Sequence, residues 1–223
     1  MSAGFVLDLH RCVGCGACVL ACRIENGRVT TTAWRRVLPL NIRRYDGGPT
    51  YFLSVACHHC EEPACLQGCP SSAYEQRDDG IVLHHEDRCL GCRYCEMTCP
   101  FGTPQFDAER GLVSKCHLCA HRLDEGLAPA CVAACPTEAL QYAADVDTEC
   151  AGSEDPASIG HGGTPHDGAR GLQTPGRSGV TPTQPLVPGF SDPAGCWPNI
   201  RFKAPAGSRR SARFEALEER LRP

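Results

Sequence analysis

Cys89-Leu90-Gly91-Cys92-Arg93-Tyr94-Cys95-Glu96-Met97-Thr98-Cys99-Pro100 is the stretch on which the fold turns. Three thiols two residues apart lie along one tight loop and can grip a single group from three sides. The fourth, after a gap of three and followed by proline, leaves that loop at the start of a new segment. Such a donor set suits three corners of an iron–sulfur cubane, with the fourth cysteine turned to a second one. One run of this kind implies another elsewhere in the sequence.

Three more are present. Cys12, Cys15, Cys18 and Cys22 repeat the gaps of two, two and three. Cys57, Cys60, Cys65 and Cys69 have gaps of two, four and three before Pro70. Cys116, Cys119, Cys131 and Cys135 have gaps of two, eleven and three before Pro136. Of the 18 cysteines only Cys150 and Cys196 fall outside the four runs and read as free thiols. A disulfide scaffold does not repeat C-x-x-C with Cys-Pro closures, and Met1–Leu9 lacks the basic start and apolar stretch of a secretory signal. A zinc site takes two C-x-x-C pairs, whereas these runs carry a third close cysteine.

Composition bounds the rest. The 223 residues permit one or two domains. A net charge of −4 gives no basic footprint for nucleic acid. No apolar run approaches the ~18 residues that a membrane span requires. Aromatic residues are only 6%, so the core is small and bound clusters must supply much of the cohesion. No nucleophile–base pair, phosphate loop or open metal position is visible.

Along the sequence, Phe5–Leu9 reads as a strand and Val19–Glu25 as one or two helical turns carrying Cys22. Asn26–Pro49 is an Arg-rich connection; Trp34, Arg35 and Arg36 read as a solvated surface or a partner-facing patch. Tyr51–Ala56 is a strand into the second run. His58 and His59 are not needed as ligands once four cysteines are present, so they read as solvated or backing residues. Tyr74–Leu83 with Asp79-Gly80 is a hairpin signal. Lys115 reads as a partial counter-charge or an exposed side chain, and His117 and His121 as surface residues. From about Cys150 to Gly189, Gly, Pro, Ser and Thr dominate; such a stretch cannot build a core alone. Ser211–Leu221 has the pattern of a short amphipathic helix.

Under cross-ligation each cluster takes three cysteines from one run and the last from its partner run. The second and third runs are joined by the hairpin, which leaves the first and fourth as an outer pair. The expected sets are Cys12, Cys15, Cys18 with Cys135; Cys116, Cys119, Cys131 with Cys22; Cys57, Cys60, Cys65 with Cys99; and Cys89, Cys92, Cys95 with Cys69. The expected fold is α+β, with two interleaved two-cluster ferredoxin-like units of short strands and helices. Residues 1–49 and 104–146 form the outer unit, 50–103 the inserted unit, and 147–223 an extended tail.

The order of the four runs, the gap of four in the second, the long gap in the fourth and the missing proline after Cys22 resemble one family. It is the four-cluster electron-transfer subunit of molybdenum or tungsten oxidoreductases of the dimethyl sulfoxide reductase type. The resemblance covers about Phe5 to Gln141. It implies four [4Fe–4S] clusters and no active site. It also implies a molybdopterin-containing catalytic partner and a quinone-reactive membrane partner. The protein would sit peripherally at the membrane, on the cytoplasmic side or, if exported with its partner, on the periplasmic side. Nitrate reductase subunits of this kind have Trp at the position of Cys92 and a three-iron cluster; Cys92 points away from them. The competing reading is a free-standing polyferredoxin.

Overall fold

The computed structural model describes residues 3–27, 33–40, 50–146 and 199–203. The proposed helix at 211–221 and most of the tail lie outside them, as do Cys150 and Cys196. Elements run in the order β1 (Gly4–Asp8), α1 (Ala17–Glu25), β2 (Arg36–Leu40), β3 (Tyr51–Val55), α2 (Ala64–Gln67), β4 (Tyr74–Gln76) and β5 (Val82–His84). They continue with α3 (Tyr94–Thr98), β6 (Gln105–Asp107), β7 (Leu112–Ser114), α4 (Ala120–Asp124), α5 (Ala130–Ala133), β8 (Leu140–Ala143) and β9 (Ile200–Lys203). These are the short strands and helices of a ferredoxin-like iron–sulfur fold.

β1 lies at the centre of a three-stranded sheet, with β8 antiparallel on one side and β9 parallel on the other. Its side chains alternate between faces, as a pleated strand requires. Phe5 and Leu7 enter the main core, while Val6 packs with Ala143 and Val146 on the opposite side. Both faces are covered, which explains an almost wholly apolar strand. Three two-stranded ladders complete the sheets: β2–β3, β4–β5 and β6–β7.

The main core gathers Phe5, Leu7, Trp34, Leu53, Ile81, Leu118, Leu140 and Ile200 around Cys18, Cys22, Cys57, Cys116 and Cys131. A smaller core holds Tyr74, Val82 and Val113 around Cys65 and Cys95. Helix α1 packs on α5, and α2 packs on α3. The hairpin β6–β7 lies at a junction. Phe106 and Val113 join the smaller core, while Ser114 accepts a 3.0 Å hydrogen bond from Trp34 Nε1.

Several sequence expectations are corrected here. Trp34 and Arg35 are buried, not solvated, because Trp34 fills the main core and the Arg35 guanidinium lies 4.4 Å over the Phe5 ring. His58 and His59 are buried too; His59 Nδ1 accepts from the Val82 N–H at 3.0 Å. Lys115 is 3% exposed, its Nζ donating to the carbonyls of Val82 and Cys116. His117 is half-buried against Trp34. The gap between Cys119 and Cys131 contains helix α4. Finally, Asn199 and β9 lie within the stretch read as extended tail, yet they belong to the core. Asn199 donates to the backbone carbonyls of His58 and His59, and its own carbonyl accepts from Phe5 N–H.

Candidate iron–sulfur centres

The four cysteine runs share one local build. The residue just before the second cysteine is left-handed each time: Gly14 at φ 70°, His59 at 46°, Gly91 at 65° and Leu118 at 58°. This reverses the backbone so that the first two thiols of a run face the same space. The third cysteine is then the second residue of a short helix: Cys18 in α1, Cys65 in α2, Cys95 in α3 and Cys131 in α5. After each Cys-Pro closure the backbone turns through a hydrogen bond from residue i+3 to the cysteine carbonyl, at Ser72, Gly102 and Glu138. Those three residues are left-handed as well.

Among the described residues, the left-handed non-glycines are His59, Ser72, Arg93, Leu118, Cys119 and Glu138. Every one lies inside a cysteine run or in the turn that closes it. Each such residue costs about 1–2 kcal/mol, and strain of this kind persists where function holds it in place. The geometry it gains is visible at sulfur. Gly91 N–H points at Cys89 Sγ, Leu118 N–H at Cys116 Sγ and Ala73 N–H at Cys69 Sγ, each at 3.4 Å. Hydroxyls approach others: Ser54 to Cys18 and Thr103 to Cys99, both at 3.5 Å.

The runs come together in crossed groups. Cys57, Cys60, Cys65 and Cys99 line one cavity, and Cys22, Cys116, Cys119 and Cys131 line another. In a third group, burial raises the Cys12 thiol and the charges of Cys18, Cys135 and Cys15 act on it together, against a lowering bond from Gly14. In the fourth, burial raises Cys95, as do Cys89, Cys69 and Cys92, against a lowering contact from Tyr74. Neighbouring groups also lie within electrostatic reach of one another, in succession. Cys18 acts on Cys22, Cys57 on Cys116, and Cys95 on Cys65. The two groups at the ends each contain an exposed cysteine, Cys15 and Cys92; the two in the middle contain none.

Burial sets the proton inventory. It pushes the Cys65 thiol up to about 12 and Cys22 to about 11, and it raises Cys116 further. At Cys69 and Cys135 burial is outweighed by hydrogen bonds from Ser71 and Ala73, and from Leu140 and Thr137, so both thiols fall below their usual value. Burial therefore favours the protonated form of Cys22, Cys65 and Cys116 until a metal displaces the proton.

This donor set fits iron–sulfur clusters. Four sulfurs stand around each of two spaces, with backbone N–H groups and hydroxyls aimed at sulfur, the contacts that tune such clusters. No three His, Cys, Asp or Glu side chains among the described residues converge as one small ion would require. Two buried cations stand near the thiols: Lys115, whose reading as a partial counter-charge agrees with its burial, and Arg35, which the sequence reading missed. Nothing local separates Arg35 from Arg36, yet the first is buried and the second exposed.

Known proteins share this pattern. A family profile described as "4Fe-4S dicluster domain" matches residues 49–145, and one described as "4Fe-4S binding domain" matches residues 5–25. An anaerobic dimethyl sulfoxide reductase chain of Escherichia coli K12 is 41% identical over 152 residues, covering 62% of the present sequence and 72% of that protein. The probable anaerobic dimethyl sulfoxide reductase chain YnfG of the same strain has the same identity and coverage. A sulfite dehydrogenase subunit of Allochromatium vinosum is 36% identical over 159 residues, covering 61% of the present sequence and 66% of that protein. This protein belongs to the family of iron–sulfur electron-transfer subunits of dimethyl sulfoxide reductase-type oxidoreductases.

Proposed function

We propose that this protein relays single electrons between a molybdopterin-containing catalytic subunit, with molybdenum or tungsten, and a quinone-reactive membrane subunit. It is an electron-transfer subunit and not a catalytic one. We assign it four [4Fe–4S] clusters. Cys12, Cys15, Cys18 and Cys135 hold one, and Cys22, Cys116, Cys119 and Cys131 a second. Cys57, Cys60, Cys65 and Cys99 hold a third, and Cys69, Cys89, Cys92 and Cys95 the fourth. The first two belong to the outer unit (1–49 and 104–146), which β9 joins by pairing with β1, and the others to the inserted unit (50–103). When bound, each cluster supplies a reversible one-electron couple. The protein residues exclude water from the middle groups, direct N–H and O–H donors at sulfur, and leave both ends open.

What supports this reading most is the succession of proposed cysteine groups with an exposed cysteine in the first and in the last, Cys15 and Cys92. Those ends are also where apolar side chains meet solvent. Val13, Leu20 and Ile24 are 58–63% exposed around the first run, and Leu90 and Met97 are 73% and 74% exposed around the third. Apolar side chains left uncovered beside a site mark surfaces for protein partners. Two such surfaces suit a relay docked at both ends. No helix among the described residues is long and apolar enough to cross a membrane. We assign the protein to the periphery of a membrane complex, held through its partner, on the cytoplasmic side or, if co-exported, the periplasmic side.

The test is anaerobic purification from native membranes in mild detergent, with identification of the accompanying proteins and metal analysis. The relay reading predicts a large molybdenum- or tungsten-containing protein and an integral membrane protein in the same particle. Elution of the iron-loaded protein alone would favour the free-standing polyferredoxin.

A further inference from the structure

Arg35 is 1% exposed, and its guanidinium has no carboxylate within ion-pair distance among the described residues. Its Nη1 donates to Ser54 Oγ at 2.9 Å and contacts the Ser54 carbonyl at 3.5 Å. Its Nε and Nη2 are buried with no hydrogen-bond acceptor. A buried guanidinium with two idle N–H groups and no anion is costly, because buried charge requires a partner. Its two contacts say where that partner is. Ser54 Oγ lies 3.5 Å from Cys18 Sγ, in the group completed by Cys12, Cys15 and Cys135. The Phe5 ring beneath the guanidinium lines the cavity of Cys22, Cys116, Cys119 and Cys131. Arg35 therefore lies beside two neighbouring cysteine groups.

We propose that Arg35 is the shared counter-charge of the two outer-unit clusters, holding both at a higher reduction potential than their burial alone would set. The proposal rests on the ligand assignment given above. One-electron reduction adds one negative charge to a group that is already anionic, and no proton arrives with it, since arginine keeps its own. A fixed cation in a dry site favours that extra charge. The same guanidinium acts on both groups, while an electron placed on one repels an electron arriving at the other. Burial works in the opposite direction, disfavouring added charge. Arg35 is a positioning residue here, acting on potential without holding iron.

The test is a potentiometric titration of the iron-loaded complex followed by electron paramagnetic resonance, comparing wild type, Arg35→Gln and Arg35→Lys. Iron content and the count of cluster signals in wild type check the ligand assignment separately. In R35Q the reduction equilibria of the two outer-unit clusters should become at least tenfold less favourable, about 59 mV each for one electron. The terminal cluster of Cys69, Cys89, Cys92 and Cys95 should stay unchanged as the internal reference. R35K should recover most of the loss. Loss of the outer-unit iron in R35Q with retention in R35K would also support the proposal, since charge then decides loading. Unchanged outer-unit potentials in a fully loaded R35Q, an equal shift in the terminal reference cluster, or loss of iron in both variants would overturn it.

Discussion

Gly91 shows how tightly single residues fix the thiols. Its φ of 65° aims the Gly91 N–H at Cys89 Sγ, and a Cβ built there would stand 2.2 Å from the Gly111 carbonyl oxygen. That oxygen is backbone, so it cannot swing aside. Gly126 has a similar φ of 75°, but a Cβ there meets nothing within 4 Å. Gly91→Ala should therefore cost about 2–4 kcal/mol, from the left-handed penalty and the clash together, and Gly126→Ala only about 1–2 kcal/mol. Anaerobic thermal melts with iron analysis should show the larger drop, and iron loss from the third run, in G91A alone. Equal melting points for the two variants would mean that the turn is not held against Gly111. A glycine between two cysteines, as at Gly14 and Gly91, marks a tight turn within the sequence itself. The left-handed His59, Arg93 and Leu118 were not legible there, because no local pattern marks a large side chain held in a glycine conformation by tertiary structure.

The elements are short, and the β4–β5 hairpin illustrates what that implies. It presents Tyr74 and Val82 to a small core, and its His84 ring lies 4.7 Å from the Tyr74 ring. Burial, then the nearby Lys115 charge, lowers the His84 pKa to about 4 from its ordinary 6.5. The fold thus favours the neutral ring. Its contribution to stability is complete above pH 6.5 and is lost as pH falls from about 6.5 to about 4. The slope is at most about 1.4 kcal/mol per pH unit from this residue. His84→Gln should flatten that part of the profile: between pH 7 and pH 5 the melting temperature of wild type should fall further than that of H84Q. Parallel falls would assign the acid sensitivity elsewhere. The hairpin itself was readable from Asp79-Gly80 between apolar runs. β9 was not, because Ile200–Lys203 follows a long Gly- and Pro-rich stretch and becomes a strand only by pairing with β1, far away in sequence. The core position of Arg35 is another non-local fact, created when β3 brings Ser54 and β1 brings Phe5 to one place.

At the scale of the whole molecule, spacing was the most informative signal: the crossing of the runs follows from the gaps and the cross-ligation rule, and the cavities lined by Cys57, Cys60, Cys65 and Cys99 and by Cys22, Cys116, Cys119 and Cys131 support it as a proposal. What spacing could not supply is the order of the groups or which of them meet solvent, since both depend on tertiary packing. That order makes the surface testable. Leu90 and Met97 flank exposed Cys92 without lining either cysteine cavity. Leu90→Glu with Met97→Glu should leave iron content within error of wild type and reduce recovery of a partner subunit at least tenfold in native purification. Undiminished recovery would move the docking surface away from this end. The most direct test of the central claim is the iron and acid-labile sulfide content of the anaerobically purified full-length protein, normalised to protein. Four cubanes require about sixteen of each per molecule. About eight of each, or zinc in place of iron, would contradict the account.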